Sequence, residues 1–240
     1  MPGYGLAKKF YYFFSGLGLK ARNLTVPTAR ILLFHRVADV KNDTYLLAVS
    51  PENFRSQITY LKNNFRVVPL SQLASELLSK KIIDNTVAVT FDDGYADNFQ
   101  SALPILQEIE MPAIIFVTTG NTGKELFLNE TEIKKMSEAE KLVERGTHTV
   151  THPRLSNLTT EKQEEEIVES KRSLEKITNR PIFSFAYPFG DKKSFSSNTV
   201  SLVKKVGYLY ACANDHERVT NSSNIFALPR FVVRNWSLEE

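Results

Sequence analysis

Apolar residues in this chain follow two alternating patterns, short continuous runs and helically spaced positions. The runs are rich in β-branched and aromatic residues, which is typical of buried strands. They lie at residues 29–34, 67–68, 86–91, 113–118, 182–187, 208–213 and 226–233. Apolar positions three and four residues apart predict helices at 50–65, 71–78, 95–106, 130–144, 159–177 and 199–206. This alternation predicts a single domain of the α/β class, most simply a β/α barrel.

Polar residues mark where several of these helices begin. Ser50 and Ser71 are expected to cap two of them, and Pro51 suits the first turn of the helix after Ser50. The helix at 159–177 has an acidic run on its outer side. We interpret that run as a solvated face.

The composition is that of an ordinary globular protein, with 240 residues of which 42% are hydrophobic and 24% charged. The net charge is +3, and no basic tract is interleaved with aromatic residues, so nucleic acid is not expected as a partner. Cys212 is the one cysteine, which excludes an internal disulfide and cysteine-based metal clusters. Neither the compartment nor the oligomeric state follows from the composition.

Residues 1–28 form an amphipathic segment ahead of the domain predicted over residues 29–240. The apolar run at 10–19 imitates a signal peptide, but it lacks a convincing cleavage site and is too short to span a bilayer. As a helix it would have one apolar face, formed by Leu6, Phe10, Phe13 and Leu17. That face suits either packing on the barrel or peripheral membrane contact through residues 6–19. We therefore expect a cytoplasmic or membrane-peripheral protein rather than a secreted one.

Residues 86–98, T-V-A-V-T-F-D-D-G-Y-A-D-N, join a strand to an acidic turn. In a regular strand the adjacent side chains of Asp92 and Asp93 would point to opposite faces and could not serve one site. Gly94 allows the chain to turn directly after them, so that both carboxylates can reach the C-terminal end of the strand. Parallel α/β folds place their chemistry at that end. The alternative is a plain turn with a helix cap, because Asp is favoured in both.

His148 and His152 have the i, i+4 spacing of helical zinc sites, but a helix is not expected here. Three β-branched residues fill the gap, and Pro153 biases His152 away from helical geometry. A strand end that runs into a loop would let both imidazoles converge. With Asp93 they would form a site of two histidines and one carboxylate, which leaves coordination positions open for water and substrate. Ordinary polar loop residues are the alternative.

The motifs T-F-D-D-G at residues 90–94 and H-T-V-T-H-P at 148–153 resemble the first two motifs of the polysaccharide deacetylases, carbohydrate esterase family 4 with the NodB homology domain. The resemblance covers residues 31–233 and implies an α/β fold, a single distorted (β/α)7 barrel. It also implies a metal-dependent hydrolase that acts on carbon–nitrogen bonds other than peptide bonds. Such an enzyme would remove acetyl groups, chiefly N-acetyl, from an amino-sugar polysaccharide or a glycolipid.

The same resemblance assigns roles to the residues of both motifs. Asp92 is the general base for a metal-activated water, and Asp93, His148 and His152 are the metal ligands. The implied cofactor is a divalent cation, Zn²⁺ before Co²⁺, Ni²⁺, Mn²⁺ or Fe²⁺. The implied partner is an N-acetylated glycan or a lipid-linked sugar, whose identity the sequence does not give.

The third family motif matches only in part, at residues 185–190, F-A-Y-P-F-G. Tyr187, Pro188 and Phe189 are placed at the substrate, and the family uses the backbone N–H at the position of Phe189 as an oxyanion donor. Ala186 stands where many members have an Arg that orients the catalytic Asp. The Asp-Trp and Leu-x-His motifs that follow in the family are absent, which removes the usual proton donor.

A branch of the family that acts on poly-N-acetylglucosamine and related surface glycans has a histidine at the end of its first strand instead. Residues 33–37, L-F-H-R-V, resemble that signature, so His35 is assigned to protonate the leaving amine. A buried structural histidine is the alternative. Leu228-Pro229-Arg230 also resembles this branch, and Arg230 would take over the orienting role unless it is simply a surface residue. His216 is expected in a polar loop without a catalytic role.

Two other kinds of function compete with this interpretation. A non-catalytic carbohydrate-binding domain on the same fold would explain the missing motifs, but it has no need of Asp92 together with all three ligands. A glycosidase would need two separated carboxylates across a cleft, whereas the predicted site centres on histidines.

Overall fold

The computed structural model describes residues 27–138 and 142–237. Within these residues the core is one eight-stranded sheet, in which each pair of neighbouring strands runs parallel. Its strands are β1 (Ala29–Phe34), β4 (Arg66–Val67), β5 (Thr86–Phe91), β6 (Ala113–Val117), β7 (Val143–Thr147), β8 (Ser184–Ala186), β9 (Tyr210–Cys212) and β10 (Phe231–Val232). Two further short strands, β2 (Arg36–Val37) and β3 (Ala48–Val49), pair with each other beside the sheet.

The sheet curls into a distorted barrel in the order β10-β1-β5-β6-β7-β8-β9, with β4 and β6 sharing one edge of β5. Where the two ends of this order approach, a parallel bridge joins Cys212 to Leu228. Helices follow the strands on the outside: α1 (Pro51–Asn64), α2 (Leu70–Leu78), α3 (Leu103–Ile109), α4 (Glu130–Glu138), α5 (Thr160–Thr178) and α6 (Ser197–Lys205). The predicted fold class is therefore confirmed.

Alternating side chains of the central strands pack into two different apolar layers. In β1, Leu32 and Phe34 belong to one cluster, which includes Phe54 of α1, whereas Ile31 belongs to the other. All six residues of β1 and all six of β5 are buried, because both faces of the sheet are covered. This burial explains why the central strands appear in the sequence as continuous apolar runs.

Most predicted elements are confirmed, and α1 begins as expected with the Ser50 hydroxyl accepting a hydrogen bond from the Asn53 N–H at 3.2 Å. The predicted cap at Ser71 is wrong: α2 begins one residue earlier, after Pro69, and the Ser71 side chain contacts Glu144 instead. Proline supplies the extended N-cap conformation there without a side-chain hydrogen bond.

Three predicted elements have different bounds. The helix predicted over 130–144 cannot extend to its end, because Val143 and the following residues pair with β6 as strand β7. The helix predicted over 95–106 does not include Tyr95, which instead forms an antiparallel bridge to Phe127. A π-helical turn at Asn98–Ala102 then leads into α3. The strand predicted over 226–233 is reduced to β10, since Pro229 has no N–H to donate to a neighbouring strand.

The amphipathic stripe predicted at residues 6–19 lies outside the described residues. Among the described ones, no helix has both the length and the apolar character needed to cross a bilayer.

Candidate active site

The carboxyl ends of the strands surround a cavity of about 520 Å³. Six of the residues predicted from the sequence line it: His35, Asp92, Asp93, His148, His152 and Phe189. They follow β1, β5, β7 and β8, so a common edge of the parallel sheet brings together residues that are far apart in the chain.

The turn after β5 places two adjacent carboxylates at this edge. Asp93 and Gly94 both have left-handed backbone conformations, with φ of +71° and +76°. A left-handed conformation is uncommon for a residue other than glycine and is a form of backbone strain that concentrates at functional sites. A Cβ at Gly94 would lie 3.3 Å from the Val117 backbone, so a side chain there would be crowded as well as strained. The turn expected from the sequence is present.

Asp93, His148 and His152 form a compact cluster of ligand atoms, with one atom from each lying within 4.8 Å of the others. Asp93 Oδ1 is 3.6 Å from His148 Nε2 and 3.4 Å from His152 Nε2. The Nδ1 of His148 is 2.8 Å from the carbonyl of Ala186, and a proton on Nδ1 leaves the Nε2 lone pair free for a cation. Two imidazoles and a carboxylate around one point fit a divalent transition metal.

Burial also keeps the imidazole of His148 in the form that binds metals. It lowers the pKa of His148 to about 3, although the nearby carboxylate of Asp92 raises it. Burial raises the pKa of Asp93 to about 6. A bound cation would offset the cost of holding this carboxylate ionised away from water.

The loop that carries both histidines is anchored by α5. Thr149 and His152 have positive φ values of +65° and +60°, so the backbone N–H groups between them turn towards the helix. The Glu166 carboxylate accepts hydrogen bonds from the N–H groups of Val150 and Thr151 at 2.8 and 2.9 Å, and from the Thr151 hydroxyl at 2.6 Å. The interpretation of the acidic run as a solvated face is therefore wrong for Glu166.

Asp92 is buried and held by Arg230. Two parallel hydrogen bonds join them, Nη1 to Oδ1 at 2.7 Å and Nη2 to Oδ2 at 2.6 Å. The Arg230 Nε donates to the Ala213 carbonyl at 3.0 Å, and Nη1 also donates to the Thr90 hydroxyl at 3.2 Å. Burial by itself would raise the pKa of Asp92, but the guanidinium lowers it to about 2. Arg230 is completely buried, which excludes the surface position that the sequence left open.

Asn214, directly after β9, links this ion pair to the turn after β8. Its Oδ1 accepts a hydrogen bond from Arg230 Nη2 at 2.9 Å, and its Nδ2 donates to the Phe189 carbonyl at 2.7 Å. Its backbone N–H donates to the Gly190 carbonyl at 2.8 Å. Sequence analysis missed Asn214, and its place directly after a strand was the one available signal.

Phe189 lines the cavity, whereas the two residues before it do not. The Phe189 backbone is left-handed with φ of +63°, and its ring lies 4.9 Å from that of His152. Tyr187 is fully buried: its hydroxyl donates to the Phe226 carbonyl at 2.9 Å and its ring stacks on Phe195. Pro188 is also buried. Tyr187 and Pro188 were predicted at the substrate, but both are buried behind the turn, and the left-handed backbone at Phe189 leaves only the third residue facing the cavity.

His35 lines the cavity beside both carboxylates. Burial lowers the pKa of His35, although Asp93 and Asp92 act in the opposite direction. Its backbone is fixed by a residue of the acidic motif, because the Asn98 side chain donates a hydrogen bond to the His35 carbonyl at 2.8 Å. His216 is exposed in the loop after β9, as expected, with its ring 6.2 Å from that of Phe231.

Asp97 fixes the residues that follow His35. Its carboxylate accepts hydrogen bonds from the side chain of Arg36 at 2.9 Å and from the backbone N–H of Val37 at 3.0 Å. Asp97 and Asn98 end the motif at residues 86–98, so this motif positions the end of β1 as well as its own two carboxylates.

Comparisons with known proteins agree with this geometry. The sequence model of the polysaccharide deacetylase family matches residues 79–211. The poly-beta-1,6-N-acetyl-D-glucosamine N-deacetylase of Staphylococcus aureus strain MRSA252 is 28% identical over 223 residues, which cover 87% of this chain and 74% of the relative. Asp92 and all three residues of the ligand cluster, Asp93, His148 and His152, lie within the matched residues.

Solved structures support the same assignment. BC0361, a polysaccharide deacetylase from Bacillus cereus, is 26% identical with a TM-score of 0.77, over 89% of this chain and 67% of that one. The Streptococcus pyogenes deacetylase PplD shares the fold with a TM-score of 0.80 at 24% identity, over 90% of this chain and 96% of that one. The family is one of hydrolases, and the donor set at Asp93, His148 and His152 is consistent with metal binding. This chain therefore belongs to the polysaccharide deacetylase family.

Proposed function

We propose that this chain removes N-acetyl groups from an amino-sugar polysaccharide by metal-dependent hydrolysis. The observation that carries the proposal is the close approach of an Arg-bound carboxylate to the ligand cluster: Asp92 Oδ2 lies 3.8 Å from His148 Nε2. The name of the Staphylococcus aureus relative, an N-deacetylase of poly-beta-1,6-N-acetyl-D-glucosamine, supports an N-acetylated glycan as the substrate class.

Asp93, His148 and His152 would hold the cation, and Zn²⁺ suits two imidazoles and one carboxylate best. A divalent cation bound there supplies Lewis acidity, which polarises an acyl carbonyl and makes water more acidic. The Glu166 carboxylate keeps the histidine loop in shape, and the Ala186 carbonyl orients the His148 ring.

Asp92 accepts the proton of the attacking water. The low pKa of Asp92 keeps it ionised and ready to accept a proton, and the two hydrogen bonds from Arg230 hold its plane in one orientation. The Phe189 N–H donates to the oxyanion that develops on the acetyl carbonyl. His35 protonates the departing nitrogen, because an amide anion is a very poor leaving group.

A non-catalytic carbohydrate-binding domain is not favoured. Such a domain could keep the barrel without Asp92. A buried, charge-paired carboxylate is costly to maintain in a folded protein. In this chain the carboxylate, its guanidinium and the three ligand residues are all present together.

Acetate release from a panel of glycans tests the proposal. The panel contains β-1,6- and β-1,4-linked N-acetylglucosamine polymers, a lipid-linked N-acetylated sugar and an O-acetylated glycan without N-acetyl groups. We expect release from an N-acetylated polymer, loss of that release with a chelator and recovery with added Zn²⁺. Release that a chelator does not affect, or release from the O-acetylated glycan alone, would contradict the proposal.

A further inference from the structure

The turn after β8 holds the proposed oxyanion donor in a strained backbone conformation. Phe189 has a φ of +63° and Gly190 a φ of +68°. The left-handed conformation is unfavourable for a phenylalanine and persists only where the surrounding structure fixes it. Among the residues that the structure describes, no hydrogen bond uses the Phe189 N–H, so this donor remains available to a ligand. The turn therefore needs support that leaves the N–H itself unoccupied.

Asn214 fixes two successive peptide groups of this turn. Its Nδ2 donates to the Phe189 carbonyl at 2.7 Å, and its backbone N–H donates to the Gly190 carbonyl at 2.8 Å. On the other side of Phe189, the Tyr187 N–H donates to the Cys212 carbonyl at 3.1 Å. The contact is close, since a Cβ at residue 190 would lie 2.8 Å from Asn214 Cγ. Residues 212–214 thus hold the backbone on both sides of Phe189.

The side-chain amide of Asn214 has one possible orientation. Its Oδ1 lies 2.9 Å from Arg230 Nη2, and a guanidinium offers donors only. The amide oxygen must therefore face Arg230, which leaves the amide nitrogen for the Phe189 carbonyl. Arg230 Nη2 also donates to Asp92 Oδ2 at 2.6 Å. Hydrogen bonds thus run in sequence from the Asp92 carboxylate through Arg230 and Asn214 to the Phe189 carbonyl.

The two ends of this sequence of hydrogen bonds act in the same chemical step. Asp92, Phe189 and Asn214 all line the active-site cavity. The base takes the proton of the attacking water while the oxyanion donor stabilises the charge that develops on the carbonyl oxygen. Their relative position matters, because a displacement of about 1 Å can cost about 10²-fold in rate. A side chain that bonds to both supports can keep the two groups at a constant separation.

We propose that Asn214 is a positioning residue that sets the oxyanion donor at Phe189 relative to the base at Asp92. The inference rests on the proposed function and deepens it. Asn214 acts through Arg230 and through the backbone of Phe189 rather than on the reacting atoms. It contributes to the rate of acetyl hydrolysis and not to metal binding or to substrate affinity.

Asn214→Asp tests this role with little change in the shape of the side chain. The carboxylate keeps an acceptor for Arg230, but it faces the Phe189 carbonyl with an oxygen that cannot donate. We expect kcat for acetate release from a β-1,6-linked N-acetylglucosamine polymer to fall by about 10–10²-fold, with KM and metal content close to those of the wild type. Nitrophenyl acetate hydrolysis should slow in parallel, because amide and ester both form an oxyanion. Asn214→Ala removes both side-chain hydrogen bonds without adding a charge and should lose at least as much.

Asn85→Asp is the matched control. Asn85 also has a left-handed backbone, with φ of +58°, and its Nδ2 donates to the Asn64 carbonyl at 3.0 Å. It precedes β5, at the opposite end of the barrel from the metal cluster. The same chemical change there should leave kcat equal to that of the wild type.

The Phe189 N–H can also be observed without turnover. Residues 188–189 are the only Pro-Phe pair of the sequence, so isotopic labelling of proline carbonyl carbons and phenylalanine nitrogens selects this one amide in a carbonyl-correlated NMR spectrum. The metal-loaded full chain is titrated with a glucosamine oligomer whose acetyl group is replaced by a methylphosphonyl group, a tetrahedral mimic of the intermediate. We expect saturating mimic to shift the amide proton downfield in the wild type and in Asn85→Asp, and far less in Asn214→Asp.

Several results would overturn the positioning role. They are wild-type kcat in Asn214→Ala, an equal amide shift in Asn214→Asp and the wild type, and loss of metal from Asn214→Asp, which would assign the lost rate to the metal cluster. Asn214→Asp alone carries the test if Asn214→Ala does not fold, as judged by circular dichroism. A Phe189 shift that depends on Asn214, in a protein that releases no acetate from any N-acetylated glycan, would contradict the proposed function but support the positioning role.

Discussion

Neighbouring residues in this site have opposite pKa shifts because each faces different groups. Asp92 and Asp93 are adjacent and both are shielded from water, which by itself raises the pKa of a carboxyl. The guanidinium of Arg230 reverses this effect for Asp92 and lowers its pKa to about 2, whereas burial raises that of Asp93 to about 6. The protein itself thus keeps Asp92 ionised, whereas a cation held by Asp93, His148 and His152 would stabilise the charged form of Asp93.

The buried pair of Asp92 and Arg230 can be tested by a double-mutant cycle. Arg230→Met leaves a buried carboxylate without its partner and should lower the free energy of unfolding by about 3 kcal/mol, measured by urea denaturation. Adding Asp92→Asn to Arg230→Met should recover at least about 1 kcal/mol of this loss. Arg55→Met removes an exposed pair with Glu108 and should change the free energy of unfolding far less, because solvent screens that pair. Equal costs for Arg230→Met and Arg55→Met would contradict the assigned burial.

The catalytic role of Asp92 is separate from its contribution to stability. Asp92→Asn keeps the shape of the side chain but cannot accept a proton, so acetate release should fall by about 10²–10⁴ while metal content stays close to that of the wild type. Activity and metal content measured in one preparation check this expectation. Near-normal turnover would show that another group is the base.

At the scale of elements, the strand ends were predictable from the sequence and the contacts that support them were not. Asp92 and Asp93 directly follow the run at 86–91 that predicts a strand, and the parallel order brings such ends together. The strand before His148, β7, has no apolar run, and only a strand end at His148 was expected. Arg230 lies 138 residues from Asp92, and only the family resemblance indicated their pairing, because no periodicity marks it. Asn214 and Glu166 act through backbone groups of other segments, which leave no pattern in the sequence.

The support that α5 gives to the histidine loop leads to a further prediction. Glu166→Gln removes the negative charge and replaces one acceptor oxygen with a donor facing the N–H groups of Val150 and Thr151. Metal affinity should fall by about tenfold or more while the protein stays folded, as a metal titration would measure. Glu165→Gln is the matched control on the same helix, because Glu165 is exposed and pairs with Lys162. Equal affinity in the two variants would remove Glu166 from the support of the site.

The end of β1 leads to a prediction on the leaving-group acid. His35→Ala should bind metal normally and severely slow the hydrolysis of amide substrates. It should affect nitrophenyl acetate far less, because that leaving group departs without a proton. His216→Ala, in the exposed loop after β9, should have little effect on either substrate. The role of His35 would be contradicted if His35→Ala lost activity equally on amide and ester substrates. It would also be contradicted if His216→Ala lost most of its activity.

At the scale of the whole molecule, the barrel is closed incompletely between β9 and β10. All the site residues nevertheless lie at one edge of it. Arg230 lies just before β10, and its guanidinium donates hydrogen bonds to Asp92 after β5 and to Asn214 after β9. One side chain therefore joins both sides of the barrel to the reacting centre. The Ala at position 186 leaves no guanidinium on β8, and Arg230 contacts the carboxylate that such a group would orient. The barrel and the site therefore depend on the same buried contacts.

The central claim is that Asp93, His148 and His152 bind the metal on which deacetylation depends. The most direct test measures metal-to-protein ratio and acetate release together in Asp93→Ala, His148→Ala and His152→Ala, with circular dichroism to verify folding. His216→Ala is the control for loss of a histidine outside the cluster. We predict that each of the three variants stays folded and loses both bound metal and activity, while the control keeps both. Stoichiometric metal in all three folded variants would contradict the account.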